Sequence, residues 1–209
     1  MPIDLAALVA AEHTAIVTQE CQQGVIGSKS ALPELAAAVA EVDLVANAAR
    51  LVRGARAAGA MVVHCLAERR PDGRGANRNA RLFRYMEKAP VKLLPGSEAT
   101  RLLPELGPET SDLVLARLHG LSPFHGTELD WILRNEGIAT LVGVGVSVNV
   151  AITNLTFDAV NSGYQVVLPR DAVAGYPTDY VEAVFANTLA GVATVTTTDA
   201  VLEAWAGRG

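Results

Sequence analysis

Short apolar runs alternate with longer amphipathic segments along most of the chain. The apolar runs predict strands at residues 15–21, 61–65, 112–116, 140–146, 165–168 and 193–197. Apolar residues at helical spacing predict helices at 35–58, 126–136, 149–161 and 180–190. Strands that alternate with helices form parallel sheets through right-handed crossovers, with helices on both faces. The pattern therefore predicts a single-domain, three-layer α/β/α fold over residues 1–209, built around a parallel sheet of roughly six strands.

Local signals mark several of the helix ends. Gly59, Gly137 and Gly163 each follow a predicted helix, the position where glycine most often ends one. Thr127 is the expected N-cap of the helix at 126–136. The polar, arginine-rich stretch after residue 65 shows neither the apolar run of a strand nor the spacing of a helix. We therefore expect a long connection, and such connections are commonly functional.

Composition narrows the class of protein. The chain is 50% hydrophobic and 19% charged, with a net charge of −5, which suits a buried sheet and argues against a disordered chain. Its dense basic cluster, the arginines of residues 68–84, favours acidic neighbours or an anionic small molecule over nucleic acid. No apolar stretch approaches the roughly 20 residues of a membrane span, and the N-terminus lacks a signal-peptide pattern. We expect a cytoplasmic protein that binds neither nucleic acid nor membrane.

Cysteines, histidines and glycines give little support to cofactor chemistry. Cys21 and Cys65 lie in apolar, strand-like runs, which indicates reduced structural thiols. His119 and His125 flank one loop, and such histidines are more often solvated than functional. The histidine spacings do not match a metal site, and the turn at 143–151 does not complete a dinucleotide fingerprint. The sequence therefore predicts neither a metal nor another cofactor.

Polar residues near the ends of predicted strands suggest one site. Glu20, His64, Arg117 and the 146–151 turn occupy such positions, and parallel α/β folds bind ligands at the carboxyl ends of their strands. Glu20 interrupts an apolar run. A carboxylate there either works as an acid or base or forms an ion pair with an arginine. His64 is expected to be a hydrogen-bonded core histidine more often than a ligand contact.

Several motifs resemble those of the isochorismatase-like hydrolase superfamily, cysteine hydrolases that include nicotinamidases and N-carbamoyl amidases. Its members tend to show V-I-D-M-Q in the first strand, S-A-F-x-G-T-x-L after a strand that ends in lysine, then G-V-x-T-N-V-C and D-A-x-x-G. The matching segments here are VTQECQ at 17–22, SPFHGTEL at 122–129, GVSVNVA at 145–151 and DAVAG at 171–175. The resemblance spans nearly the whole chain and implies the same α/β fold.

The resemblance also implies a site in which all three members of the family's Asp–Lys–Cys triad are replaced. The acid falls on Glu20, the lysine on Arg117 by strand register, and the nucleophilic cysteine on Ala151. Arginine keeps the positive charge but does not release its proton at neutral pH. Ser147 and Thr153 lack an evident base partner and are weak candidates for a replacement nucleophile. Thiolate attack is therefore not expected.

By the same resemblance, further residues are expected to bind substrate. The Val146–Ser147 bond coincides with a non-proline cis peptide that orients an oxyanion hole in this fold. The expected substrate-binding residues are Gln22, His64, His119, Phe124, Val146, Ser147 and Asn149.

Two functions of different classes remain open. The first is a hydrolase for a small, anionic molecule in which Glu20 is the general acid or base and Arg117 clamps the substrate. True isochorismatases cleave a vinyl ether in this way without a cysteine, and amide hydrolysis by activated water is a weaker variant. The second is an inactive family member that binds a small molecule or serves in assembly, with Glu20 and Arg117 as a salt bridge. The resemblance further implies a homodimer or homotetramer, with residues 189–195 as a candidate interface.

Overall fold

The computed structural model describes residues 3–207, and over this range the strands form one parallel sheet. The strand order is β3-β2-β1-β4-β5-β7, and β6 pairs with the carboxyl end of β4. The central strand β1 pairs on both sides, since Val17 lies level with Val63 and Gly143. The strands are β1 (Thr14–Gln19), β2 (Met61–Ala67), β3 (Leu113–Arg117), β4 (Thr140–Val146), β5 (Gln165–Pro169), β6 (Val173–Ala174) and β7 (Thr194–Thr196).

Helices cover both faces of this sheet. Short 3₁₀ turns lie at Ala11–His13, Glu98–Thr100, Pro104–Leu106, Arg170–Ala172 and Leu189–Gly191, and a π-helix spans Val148–Ile152. The α-helices are α1 (Leu5–Leu8), α2 (Pro33–Glu41), α3 (Leu44–Ala58), α4 (Arg81–Lys88), α5 (Leu129–Asn135), α6 (Thr153–Asn161), α7 (Thr178–Asn187) and α8 (Thr198–Ala206). The three-layer α/β/α prediction is confirmed.

The alternation of side chains along β1 divides the core into two layers. Ile16 packs with residues of α3 and α8, such as Leu51 and Val201. Ala15 and Val17 point to the opposite layer, which α5, α6 and α7 cover. Every residue of β1 is buried, as a strand with helices on both faces requires.

The helix predicted at 35–58 is two helices. Asp43 adopts φ 51° between α2 and α3, a left-handed conformation that aspartate tolerates better than most residues. The apolar spacing continues across this break, so periodicity alone could not locate it. The helix predicted from 126 begins at Leu129 instead, with Glu128 as its N-cap. Thr127 still accepts a hydrogen bond from the Leu129 backbone N–H at 3.1 Å.

The ends of other strands and helices also differ from the predicted ones. β2 runs two residues beyond the predicted end, because Leu66 and Ala67 pair with Ala116 and Arg117 of β3. Helices α4 and α8 formed where no helix was predicted, whereas α7 ends three residues before the predicted 190. Leu189, within the candidate interface, is fully buried in the chain's own core. Among residues 3–207, no helix is long and apolar enough to cross a membrane.

Candidate active site

A cavity of about 250 Å³ opens at the carboxyl edge of the sheet. It is lined by residues at the ends of four adjacent strands: Glu20 after β1, Glu68 after β2, Arg117 at the end of β3, and Ser147 with Ala151 after β4. Parallel strands in register bring their carboxyl ends together at one edge, which is why these separated positions meet. The structure thus places Glu20, Arg117, Val146, Ser147 and Ala151 around one cavity, as the strand positions suggested.

Glu20 and Arg117 form a direct ion pair at this edge. The Arg117 guanidinium Nη2 donates to Glu20 Oε1, and Gln19 Nε2 donates to the same oxygen at 3.2 Å. Arg117 Nε donates to the Gly120 carbonyl oxygen at 3.3 Å. Glu20 adopts φ 57°, a strained conformation for a residue with a β-carbon and one that clusters at functional sites.

The ion pair leaves one nitrogen of the Arg117 guanidinium without a hydrogen-bond partner within residues 3–207. The side chain of Arg117 is only 5% exposed, and its Nη1 is buried without a hydrogen-bond partner among the described residues. An unpaired buried donor costs about 1–3 kcal/mol. A carbonyl or carboxylate oxygen of a small molecule in the cavity is the kind of acceptor that a guanidinium binds best.

The approach of β4 to β1 depends on Gly145. Gly145 adopts φ 115°, and a β-carbon there would lie 2.2 Å from the Gln19 carbonyl oxygen. Only glycine allows β4 to lie this close beside the residue that precedes Glu20.

The turn after β4 presents Ala151 to the cavity. The Val146–Ser147 peptide is cis, as the resemblance implied. Ser147 then starts the π-helix Val148–Ile152, and its carbonyl oxygen accepts from Ile152 N–H at 3.0 Å. Ala151 is 5% exposed and lines the cavity. The side chain at position 151 therefore contributes a methyl group to the cavity and no nucleophile.

Glu68 is a cavity residue that the sequence analysis did not identify. It follows β2 directly, and its backbone N–H donates to the Arg117 carbonyl oxygen at 2.9 Å. The side chain is half-buried, and burial raises the pKa of its carboxyl group. Glu68 was missed because β2 was predicted to end at residue 65. The apolar Leu66 and Ala67 are the signal that the strand continues.

His64 lies within β2 and does not line the cavity. Thr18 Oγ1 and His64 Nδ1 are 2.8 Å apart, and His64 Nε2 lies 3.2 Å from Asp112 Oδ2. Arg56 binds both carboxylate oxygens of Asp112, at 3.1 and 2.5 Å. Burial lowers the pKa of His64, and the bond to Asp112 only partly opposes this effect. His64 is thus a hydrogen-bonded core histidine, and the carboxylate implies that Nε2 carries the proton.

The carboxyl group of Asp112 is fully engaged in this core network. Burial alone would raise its pKa, but hydrogen bonds from Arg56, the Glu109 backbone and His64 outweigh that effect and lower it. The side chain of Asp112 is 1% exposed. The network therefore holds a buried ionised carboxylate in the core beside α3.

Three other residues expected to bind substrate do not line the cavity. Both amide atoms of Gln22 bind backbone groups, with Nε2 donating to Ala67 O at 3.0 Å and Oε1 accepting from Ala67 N–H at 2.8 Å. Phe124 packs against Tyr164, with ring centroids 5.8 Å apart. Asn149 Nδ2 donates to the Tyr176 carbonyl oxygen at 3.1 Å. Gln22 and Phe124 are thus held by other elements of the fold. Asn149 is held through Nδ2 alone, and its Oδ1 is buried without a hydrogen-bond partner among the described residues.

The loop histidines and the cysteines differ in exposure. His119 lines the cavity and is exposed, with its ring against Gly126, whereas His125 lies 3.6 Å from Asp158 at the surface. Both thiols are free and buried. Burial raises the pKa of each cysteine to about 12, so neither is an activated nucleophile.

The outer wall of the cavity is apolar. It is built by α4 and the segment that follows, and α4 has no fully buried residue. Glu87 fixes this wall, because its carboxylate accepts from Arg69 Nη2 at 2.9 Å and its backbone oxygen accepts from Lys92 at 2.6 Å. The apolar wall residues include Leu82, Phe83, Met86, Pro90, Val91 and Leu93.

The fold and the cis peptide match what the sequence motifs implied. Residues 14–200 match the isochorismatase domain. The chain therefore belongs to the isochorismatase family. Among residues 3–207, no cluster of three or more histidine, cysteine or acidic side chains could hold a metal ion.

Curated relatives and solved structures agree with this assignment. The chain is 28% identical to the ureidoacrylate amidohydrolase RutB of Yersinia enterocolitica, over 68% of this chain and 66% of that protein. It is 28% identical to the maleamate amidohydrolase of Pseudomonas putida, over 68% of this chain and 65% of that protein. The chain thus spans just under two thirds of these relatives. A cysteine hydrolase from Pseudomonas syringae pv. phaseolicola superposes with a TM-score of 0.80 at 24% identity, covering 99% of this chain and 96% of that one.

Proposed function

We propose that this protein is a small-molecule hydrolase that cleaves a carbon–nitrogen bond with water as the nucleophile. Glu20 acts as general base, and Arg117 binds the oxygen of the group under attack or a neighbouring carboxylate. The observation that carries the proposal is that Glu20 and Arg117 line one cavity as an ion pair, while Arg117 Nη1 is buried without a partner among residues 3–207. An acceptor on the substrate would complete the hydrogen bonding of Arg117.

The contacts of Glu20 favour a base over an acid. Its Oε1 accepts from Arg117 and from Gln19 Nε2, and a carboxylate oxygen is the acceptor that both donors require. A carboxylate held in this way can take a proton from water. Hydrolysis of a vinyl ether requires the opposite, a protonated acid at this position, so the geometry favours the amide reaction.

The absence of a nucleophile at position 151 is consistent with direct attack by water. Water attacks the carbonyl carbon while its proton passes to Glu20, and the developing oxyanion is stabilised by Arg117. The names of the relatives RutB and maleamate amidohydrolase describe amide-cleaving enzymes, which supports carbon–nitrogen hydrolysis for this chain.

The walls of the cavity suggest the form of the substrate. The lining combines the Glu20–Arg117 pair with apolar side chains from α4 and from the segment after it, among them Leu82, Met86 and Pro90. A volume of about 250 Å³ suits a metabolite-sized molecule. The proposed substrate is therefore a small amide with an oxygen-rich or anionic head and a compact apolar body.

The test is a turnover screen of the purified protein against small carboxamides, N-carbamoyl compounds and vinyl ethers. We expect amide hydrolysis by the native protein and a loss of at least about 100-fold in Glu20→Gln, the contribution typical of a general base. Glu41→Gln makes the same change at an exposed position on α2 and should retain full activity. Vinyl-ether turnover without amide turnover would contradict the proposed reaction.

One observation favours a second candidate, a binding protein without catalysis. Ala151 supplies no nucleophile, and the Glu20–Arg117 contact could serve only to close the sheet edge. In that case the native protein is inactive on all substrates, and small anions raise its melting temperature. Amidase activity gained by Ala151→Cys would then identify a disarmed cysteine hydrolase.

A further inference from the structure

Glu68 occupies the carboxyl end of β2, one strand away from Glu20. Its backbone N–H donates to the Arg117 carbonyl oxygen at 2.9 Å, so the residue is fixed to the same sheet edge as the ion pair. Its side chain and those of Glu20 and Arg117 line the same cavity. The cavity therefore holds two carboxyl groups supplied by different strands.

These two carboxyl groups have different surroundings. Glu20 Oε1 receives two hydrogen bonds, one of them from a guanidinium. The side chain of Glu68 has no hydrogen-bond or ion-pair partner among residues 3–207, and burial raises the pKa of its carboxyl group. Two titratable groups in one site whose environments differ in this way commonly divide the roles of base and acid.

The cationic side chains around the cavity do not neutralise Glu68. Arg69 is bound to Glu87, and Lys92 is bound to the backbone of the same residue. Arg117 is bound to Glu20, and His119 is exposed with its ring against Gly126. Glu68 therefore faces the cavity without a charge partner, which favours its protonated form.

We infer that Glu68 is the proton donor for the leaving group in the reaction that Glu20 starts as base. This inference rests on the proposed amide hydrolysis. Water adds to the carbonyl carbon and gives its proton to Glu20. The carbon–nitrogen bond then breaks as Glu68 gives its proton to the departing nitrogen. The products are a carboxylic acid and an amine, and the proton held by Glu20 returns to Glu68 through solvent before the next turnover.

The test compares an amide substrate with the 4-nitrophenyl ester of the same acyl group. An amine needs a proton to leave, whereas 4-nitrophenolate leaves without one. In Glu68→Gln, we expect kcat for the amide to fall about 100-fold and kcat for the ester to stay within about threefold. Glu20→Gln should lose both activities, since both reactions need activated water. Glu41→Gln is the matched control, and circular dichroism checks that each variant is folded.

The pH profile is a second readout that a merely structural residue would not change. Because the proton donor must be protonated, amide turnover should fall as the pH rises through the pKa of Glu68, which burial has raised. That alkaline limb should be absent in Glu68→Gln. Full amide activity in Glu68→Gln, together with its loss in Glu20→Gln, would overturn this inference and leave the proposed function standing. No turnover of either substrate by the native protein would overturn both.

Discussion

Two clusters couple an arginine to a carboxylate on the same sheet, and they differ in how completely their polar atoms are paired. In the core cluster, defined as Arg56, His64 and Asp112 with Thr18, both oxygens of Asp112 and both ring nitrogens of His64 have partners. In the edge cluster, Arg117 and Glu20 share one contact, while a buried guanidinium nitrogen of Arg117 has no hydrogen-bond partner in the part of the chain that the structure describes.

The difference separates a structural role from a binding role. A buried polar network whose members are all satisfied holds elements in place and offers nothing to a ligand. The core cluster ties α3 to β1, β2 and the start of β3 in this way. The edge cluster lines a cavity, and Arg117 Nη1 has no acceptor among the described residues; the proposed substrate is the partner that would supply one. Four predictions test this contrast.

The largest effect is expected when the core cluster loses its carboxylate. Asp112→Asn removes the charge that Arg56 and His64 face, and breaking a buried ion pair costs about 3 kcal/mol or more. Urea unfolding measures this loss. The control is Asp199→Asn, which breaks the exposed pair with Arg50 and should cost less than about 1 kcal/mol. Equal effects of the two changes would show that the core cluster is not a stabilising unit.

At the edge cluster, we expect a substitution to cost less stability than at the core cluster and to act mainly on ligand affinity. Arg117→Met leaves Glu20, whose side chain is 18% exposed, free to be hydrated from the cavity. We expect a loss of about 1–2 kcal/mol in unfolding free energy, because the remaining carboxylate is not isolated from water. Affinity for a small carboxylate, measured by calorimetry, should fall at least about tenfold, the equivalent of one lost charged contact. Arg53→Met is the exposed control, and unchanged affinity in Arg117→Met would exclude the clamp role.

As the pH falls, the core cluster should lose stability through His64 before carboxyl groups take up protons. Burial lowers the pKa of His64 from its ordinary 6.5, so the unfolded chain takes up a proton there before the folded protein does. Stability from this group is present above pH 6.5 and falls as the pH drops from 6.5 to the lowered pKa. One such group gives at most about 1.4 kcal/mol per pH unit.

The matched variants for this pH effect are His64→Gln and His125→Gln. Thermal melts between pH 7 and pH 5 should lose part of their pH dependence in His64→Gln. His125→Gln makes the same change at an exposed surface position and serves as the control. Identical pH curves in all three proteins would contradict the assignment to His64.

The smallest effect is expected from a thiol reagent, which should not react with the two cysteines while the protein is folded. Cys21 and Cys65 are buried, and their pKa values are raised to about 12, so a thiol reagent at pH 8 should label neither in the folded protein. Labelling should appear only as urea unfolds the chain. Rapid labelling of either cysteine without urea would mean that the core opens readily.

Much of the fold followed from local patterns. The alternation of apolar runs and amphipathic segments predicted a parallel, three-layer arrangement, and the structure confirmed it. The break at Asp43 was missed because the apolar spacing continues from α2 into α3. The helix α4 was missed because its stretch is rich in arginine and asparagine, and its apolar side chains are those that line the cavity wall.

The candidate site was predicted in part. The positions of Glu20 and Arg117 at strand ends, and of Ala151 in the turn after β4, were sufficient to expect them at one edge, because parallel strands all end at the same edge of the sheet. His64 and Gln22 could not be assigned in the same way. Each has its polar atoms satisfied by partners far away in the chain, Asp112 for His64 and Ala67 for Gln22.

Periodicity and residue identity were enough to predict the layers, the strands and an alanine at position 151, where the resemblance expects a cysteine. Which polar residues face the cavity followed from long-range packing. Pairing with β3 extends β2 to Ala67, so that His64 lies within the core and Glu68 lies at the edge of the sheet. The physical reason is that periodicity records which positions are apolar, whereas the partner of a buried polar group is set by long-range packing.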